Sequence, residues 1–173
     1  MISELGHFLL ISAFCLNLGL IANCISNKPV LVGYTGFFDK LESLLLTLLA
    51  ISFLLLITSF ITSDFSVKLV ANNSHLLKPI LYKVAGAWGN HEGSMLLWVL
   101  ILTLYLFLFQ VSSRHYPNVL VRNVVLVQLS IIALFLFYLL VFSNPFERLE
   151  FPPLNGQDLN PILQDVLLVA HPP

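Results

Sequence analysis

The chain has 173 residues, of which 58% are hydrophobic and 10% are charged, and its mean hydropathy is +0.91. Soluble globular domains carry about 25% charged residues, so this composition excludes an ordinary water-soluble domain and indicates that lipid is the main solvent. The formal net charge of −1 excludes a basic nucleic-acid-binding surface, and no nucleic-acid partner is expected.

Two cysteines, Cys15 and Cys24, lie on the first apolar stretch. On a helix their separation corresponds to roughly 13 Å, which is too far for a disulfide. The sequence has no CxxC pair, so it carries neither a thiol-exchange motif nor a c-type haem attachment motif.

Four apolar stretches are each long enough to cross the hydrocarbon core of a bilayer as a helix. They are Phe8–Ile25, Leu41–Ile61, Met95–Val111 and Val119–Phe142. Helices are expected because backbone polar groups in lipid must be satisfied within the segment. The predicted fold class is therefore an all-α integral membrane protein with about four transmembrane helices and two long loops, residues 64–93 and 143–173.

The distribution of positive charge predicts the orientation, because Lys and Arg concentrate in short cytoplasmic loops. The short connections carry Lys28, Lys40, Arg114 and Arg122, whereas Lys68, Lys78, Lys83 and Arg148 are spread over the two long segments. The density is higher in the short connections. Both long loops are therefore predicted to face outward, on the periplasmic side or its organellar equivalent.

The predicted helices contain no acidic, basic or histidine residue at mid-depth, which argues against a pump or an ion-coupled transporter. The polar residues Asn17, Gln110 and Gln128 are predicted to form hydrogen bonds between helices. His7, at one end of the first helix, is the only histidine available to the four helices. These helices alone therefore cannot hold a haem between two histidine ligands.

The first long loop begins with an alternating segment, Asp64–Val70, which predicts extended backbone. Asn72–Ser74 is predicted to be a turn, and Pro79 is expected to interrupt any helix through the following residues. The rest of the loop leads to a polar, glycine-containing segment directly before the third apolar stretch.

That segment, residues 87–94 (AWGNHEGS), has two interpretations. In the first it is an interface anchor, with Trp88 in the aromatic belt, Gly93 in a tight turn and Ser94 as the helix N-cap. In the second it is a surface that meets a planar cofactor or a partner. A zinc-protease motif is excluded, because Met95 occupies the position of the second histidine ligand.

The second long loop begins where Asn144 and Pro145 end the fourth helix. Asn160 and Pro161 are then typical of an N-cap and first helical residue, and they predict a short surface helix over residues 162–170. His171, followed by two prolines, is typical of a junction before a further helix. The chain is accordingly expected to be a fragment or one piece of a split protein.

Three segments resemble the CcmF family, the haem lyase subunit of cytochrome c maturation. They are residues 83–98 (KVAGAWGNHEGSMLLW), 143–146 (SNPF) and 158–165 (DLNPILQD) followed by HPP at 171–173. The motif residues are Trp88, Gly89, His91, Glu92 and Gly93 in the first loop, and Asp158, Asn160, Pro161, Gln164 and Asp165 in the second. The resemblance covers essentially the whole chain, as the N-terminal portion of a longer protein. Val166 departs from the pattern, because the family usually has proline there.

The resemblance implies that haem is the cofactor and that it passes from a CcmE-type haem chaperone to apocytochrome c at the outer face of the membrane. It matches His171 to an axial ligand of the haem iron, and it places the Trp-rich haem-handling domain and the second histidine beyond Pro173. No catalytic residue is assigned within the chain.

The other implied partners are CcmH-type subunits, membrane lipid and the C-terminal remainder of the same protein. The implied location is the bacterial inner membrane or, alternatively, the mitochondrial inner membrane. A complete family member is expected to be a haem lyase, whereas this piece alone is expected to be inactive. The alternative function is a non-enzymatic membrane scaffold that assembles with other cytochrome-assembly proteins.

Overall fold

A computed structural model describes residues 1–26 and 36–158, except for the side chains of Phe37 and Arg114. The described residues form four long helices and three short ones. The long helices are α1 (Ile2–Ser26), α2 (Gly36–Ile61), α5 (His91–Ser112) and α6 (Asn118–Val141); the short ones are α3 (Lys68–Asn73), α4 (Ile80–Gly86) and a 3-10 turn, Ser113–His115. The four long helices are long and apolar enough to cross a membrane. The predicted all-α membrane fold with four transmembrane helices is confirmed.

Three of the long helices begin several residues before the apolar stretches that predicted them. The starts of α1, α2 and α5 are Ile2, Gly36 and His91, whereas the apolar stretches begin at Phe8, Leu41 and Met95. Hydropathy marks only the part of a helix that lies in hydrocarbon. The additional turns carry polar and charged residues that belong at the membrane–water interface.

The long helices form a four-helix bundle in which α1 and α5 each pack against both α2 and α6. Buried residues repeat at steps of three or four along α1, α5 and α6. In α1 they are Ser3, Gly6, Leu10, Ala13, Asn17, Leu20 and Cys24, and in α6 they are Val121, Val125, Leu129, Ile132, Leu136 and Leu139. This spacing is that of helices crossing at a shallow angle with interlocking side chains.

Polar side chains in the bundle bind backbone carbonyls of neighbouring helices. Asn17 Nδ2 of α1 donates to the Leu129 oxygen of α6 at 3.0 Å, and Gln128 Nε2 of α6 donates to the Leu102 oxygen of α5 at 3.1 Å. The prediction that Asn17 and Gln128 bond between helices is confirmed. Such bonds contribute about 0.6 kcal/mol each in membrane bundles, so their main effect is to fix register.

The local structure of the first long loop differs from the prediction. The predicted extended segment is helical from Lys68 onward, and the predicted turn at Asn72 is the last part of the same helix. Only Val67 keeps a strand-like contact, as an isolated antiparallel bridge with Arg148. Alternation was misleading because the consecutive residues Leu69, Val70 and Ala71 are all buried in a short helix, a pattern that a two-residue period does not describe.

Candidate functional site

The two long loops pack on each other at one end of the bundle. The Lys68 amide donates to the Glu147 oxygen at 2.9 Å, and the Leu149 amide donates to the Ser66 oxygen at 2.8 Å. The side chains of Lys68 and Glu147 also form an ion pair at 3.0 Å. Residues 64–90 and 143–158 therefore form one hydrogen-bonded layer, hereafter the loop layer.

The second-loop residue Asp158 also joins the two loops, through contacts with Ser74 and Lys78 of the first loop. Its amide donates to the Ser74 oxygen at 3.2 Å, and its carboxylate forms an ion pair with Lys78 Nζ at 2.5 Å. The adjacent Gln157 amide donates to the Ala71 oxygen at 2.8 Å. Asp158 is thus an inter-loop anchor, a role for which its carboxylate and its backbone are both used.

Gly156 lies where the two loops approach most closely. A Cβ atom at this position would come within 2.1 Å of the Ser74 oxygen, so only glycine fits without displacing backbone. The preceding Asn155 binds the first loop with both ends of its amide. Its Oδ1 accepts from the Leu76 amide at 3.1 Å, and its Nδ2 contacts His75 Nε2 at 2.6 Å.

The first-loop motif turns tightly into α5, and Asn90 is the N-cap. Its Oδ1 accepts from the Gly93 amide at 2.7 Å, and its Nδ2 donates to the Gly86 oxygen at 2.6 Å. Ser94 was the predicted N-cap, and that prediction is wrong because the helix begins one turn earlier. A Cβ atom at Gly93 would lie 1.7 Å from the Ala87 oxygen, which explains the glycine.

Within the same motif, Trp88 and Gly89 continue the turn that ends α4. Their amides donate to the Ala85 oxygen at 3.1 and 2.8 Å. The Trp88 side chain is half-buried and packs against the hydrophobic core. This placement fits the interface-anchor interpretation for Trp88, while the polar residues that follow it face a cavity.

His91 connects the first-loop motif to the start of the second loop. Its Nδ1 lies 3.0 Å from Ser143 Oγ, and its ring meets Tyr138 edge-on with centroids 6.1 Å apart. His7 of α1 makes the equivalent contact from the other side, with Nδ1 3.3 Å from Asn144 Oδ1. Two histidines, His7 of α1 and His91 of α5, therefore contact the two residues Ser143 and Asn144 just after the end of α6.

A polar cavity of about 370 Å³ opens between the loops. Its walls combine an ammonium group, an imidazole, two carboxylates, four amides and one leucine. The lining residues are Lys68, Leu69, Asn72, Asn73, Asn90, His91, Glu92, Asn144 and Glu147. Such a wall can donate and accept hydrogen bonds to a polar or charged group, and it offers little apolar surface.

The cavity between the loops does not by itself fit a haem. The macrocycle requires an apolar slot with an axial ligand, and this cavity is polar. No group of three or more His, Cys, Asp or Glu residues suited to a metal ion occurs within residues 1–26 and 36–158. The predicted ligand His171 and the motif residues Asn160, Pro161, Gln164 and Asp165 lie outside the described residues, so their roles stay predictions.

The shared side of the two loops and their glycine-rich, charge-poor character predict that residues 88–94 lie against the second loop, which contains Asn144 and Glu147. The sequence did not indicate that Lys68 and His7 join the same surface. Backbone hydrogen bonds between the loops, the Lys68–Glu147 ion pair and the contact of His7 with Asn144 bring these segments together.

The four long apolar helices, with the loop layer packed at one end of them, define a multi-pass membrane protein. Residues 88–173 match the family model described as cytochrome C assembly protein. The chain is similar over its full length to the cytochrome c-type biogenesis proteins CycK of Rhizobium meliloti (45% identity), ccl1 of Rhodobacter capsulatus (47%) and CcmF of Escherichia coli (39%). No solved structure matches.

The chain belongs to this CcmF/CycK family of cytochrome c-type biogenesis proteins. It spans only about a quarter of the length of these relatives, 26% of the first and 27% of the other two. Family membership, predicted from the loop motifs, is confirmed.

Proposed function

We propose that this chain is the N-terminal membrane part of a haem lyase that acts in cytochrome c maturation. The loop layer forms one wall of the place where haem passes from a CcmE-type chaperone to apocytochrome c. The observation that carries this proposal is the joining of the two motif-bearing loops into one layer around a polar cavity. The family relationship supplies the reaction, and the layer supplies the surface.

In this proposal the loop layer faces outward from the inner membrane of a bacterium or a mitochondrion. The haem is bound by residues of the complete protein, with His171 as one axial ligand. A neutral imidazole is a good ligand for haem iron, and the two following prolines would fix its direction. CcmH-type subunits and the C-terminal remainder complete the assembly around the four helices.

The described residues contribute recognition and position rather than bond-making. The cavity presents both hydrogen-bond donors and acceptors, through Asn90, Asn144 and Glu92 in particular. These groups suit the backbone and polar side chains of an arriving protein. Trp88 packs against the hydrophobic core and so fixes the position of the first-loop motif relative to the helices.

The test uses Trp88→Ala, Glu92→Ala and Asn144→Ala in the complete protein, in a strain that otherwise lacks it. We expect each variant to lower the yield of mature cytochrome c while the protein remains in the membrane. Glu150→Ala is the matched control, since Glu150 is an exposed carboxylate of the same loop outside the cavity lining. Normal maturation in all three variants would overturn the assignment of this surface.

The scaffold alternative has one observation in its favour, namely that the four apolar helices pack into a bundle through their own buried side chains. A scaffold requires the helices but not the polar cavity. Under that alternative, cavity variants would leave cytochrome yield unchanged, whereas substitutions that disrupt helix packing would abolish it. The same set of variants therefore separates the two functions.

A further inference from the structure

A glutamate occupies a core position of α2, at the end of the bundle opposite the loop layer. The buried series along this helix runs Phe38, Glu42, Leu45, Leu49, with the same three- and four-residue steps as in the other helices. Glu42 is 1% exposed, as deeply buried as the leucines that follow it. A fully buried position of the bundle thus carries a carboxyl group.

Both carboxyl oxygens of Glu42 are buried, and neither has a hydrogen-bond partner among the described residues. An ionised carboxylate in such a place would lose its hydration without compensation, at a cost of several kcal/mol. The neutral acid avoids most of that cost. Burial without a partner therefore favours the protonated form of this side chain.

The charged groups around Glu42 do not offset this preference. On α2 itself, Asp39 lies one turn away and adds a second acidic group. On α6, Arg122 Nε donates to the backbone oxygen of Cys24 at 2.8 Å. Cys24 is the buried residue that α1 contributes near Glu42. Within the described ranges, no ion pair joins Glu42 to a cation.

A cavity of about 320 Å³ leads from Glu42 towards the end of the bundle. Asp39, Lys40 and Ser43 of α2 line it together with Gln110 of α5. Gln110 Nε2 lies 3.4 Å from Asp39 Oδ1, so the interhelical bond predicted for this glutamine is present. Phe107 and Val111 complete the lining, so the cavity has both polar and apolar walls. It is large enough to hold several water molecules, which can bind the polar groups and carry protons to a buried acid.

We propose that Glu42 is a proton-binding site of the membrane bundle, which exchanges its proton with water through the Asp39–Gln110 cavity. Proton uptake forms an O–H bond at one carboxyl oxygen and removes one negative charge from the bundle. Proton release leaves a carboxylate beside Asp39. Lys40 lines the same cavity, but the described residues show no bond between its ammonium group and Glu42. The protonated acid is therefore the resting form.

The experiment uses dicyclohexylcarbodiimide, an apolar reagent that modifies protonated carboxyl groups within membranes. The acid proton adds to one carbodiimide nitrogen, the carboxyl oxygen adds to the central carbon, and the adduct rearranges to a stable N-acylurea with no leaving group. The complete protein is treated in its native membrane and the peptide containing Glu42 is analysed by mass spectrometry. Glu150, an exposed glutamate, serves as the internal comparison.

We expect the apolar reagent to modify Glu42 at neutral pH and to leave Glu150 unmodified. Modification of the Glu42 peptide should be lost in Glu42→Gln and retained in Asp39→Asn, and it should fall as the pH is raised. A water-soluble carbodiimide with an added amine should show the reverse preference. Absence of modification at Glu42 by the apolar reagent, or equal reaction with the water-soluble one, would overturn the proposal.

A second measurement separates a neutral acid from a hidden ion pair. Gln is a neutral isostere of the protonated acid, so Glu42→Gln should leave the thermal midpoint of the detergent-solubilised protein unchanged. If Glu42 were ionised and paired with a basic side chain of the remaining protein, the substitution would leave that cation unpaired and lower the midpoint. Neither measurement depends on cytochrome maturation, so this site and the proposed function are tested separately.

Discussion

Asn90 links two helices through one side chain. Its amide oxygen caps α5 and its amide nitrogen binds the end of α4. We expect Asn90→Ala to lower the free energy of unfolding by about 1 kcal/mol for the lost cap, with a further loss from the unpaired Gly86 oxygen. Thermal unfolding in detergent measures the change. Asn72→Ala, at an exposed asparagine of α3, is the control, and an equal decrease there would contradict the capping role.

The interface-anchor interpretation placed the N-cap at Ser94, whereas the observed cap is Asn90, a residue type that also caps helices well. The position of the N-cap is set by contacts that a capping motif does not describe. The Asn90 amide reaches back to Gly86, and Gly93 must pass against the Ala87 oxygen. Cap chemistry was therefore predictable as a type of interaction, and its position was fixed by the packing of α4 against the bundle.

His171 is the residue whose role depends most on the family relationship. The described histidines of the loop layer have other partners, since His91 contacts Ser143 and His75 contacts Asn155. We expect His171→Ala in the complete protein to lose haem bound at the outer surface, because axial ligation sets both retention and spin state. Absorption spectra of the protein purified with its haem chaperone measure this loss.

Added imidazole should partly restore the spectrum of His171→Ala by filling the vacant coordination site. His115→Ala is the matched control, because His115 lies in the 3-10 turn at the opposite end of the bundle. Retention of the haem with an unchanged spectrum in the His171 variant would remove this residue from the ligand set.

At the level of helices, the sequence predicted the four long helices, but it did not predict which side of each helix is buried and which faces lipid. Each helix is apolar all around, so periodicity does not separate the lipid-facing side from the buried side. The small and polar residues Gly6, Asn17, Ser52 and Thr103 all lie in the interior. In membrane bundles such residues mark helix contacts, and they are the signal that a sequence offers for the interior.

The orientation of the helices is tested by cysteine labelling in a Cys15→Ser, Cys24→Ser background. Asn72→Cys and Gln157→Cys place thiols at exposed positions of the loop layer. We expect both to react with a membrane-impermeant thiol reagent added from the outer side, because the short connections carry the denser positive charge. Tyr116→Cys, 54% exposed at the other end, should react only after the membrane is opened. The reverse pattern would invert the topology.

At the level of the whole molecule, the loop layer was the least predictable part of the structure. Its contacts join residues far apart in sequence, as with the Gln157 amide and the Ala71 oxygen. The resemblance placed the two motifs on one side of the membrane, but no local pattern specifies which backbone groups will pair. The glycines are the exception, because Gly93 and Gly156 are required by close approach and stand out within otherwise polar segments.

The last prediction concerns what this chain does alone. We expect residues 1–173, produced in a strain without the complete protein, to enter the membrane and to mature no cytochrome c. The cavity between the loops has a polar wall that does not suit a haem, and the chain spans 26% to 27% of the relatives.

Haem staining of membrane and periplasmic fractions measures the yield, with the full-length protein as the positive control. Co-production of residues 1–173 with the remainder of the same protein as a second chain should restore maturation, because the four helices and the described loop layer lie within the first chain. If residues 1–173 alone restored mature cytochrome c, the haem site would have to lie within this chain, and the assignment of the loop layer as a single wall of a larger site would be wrong.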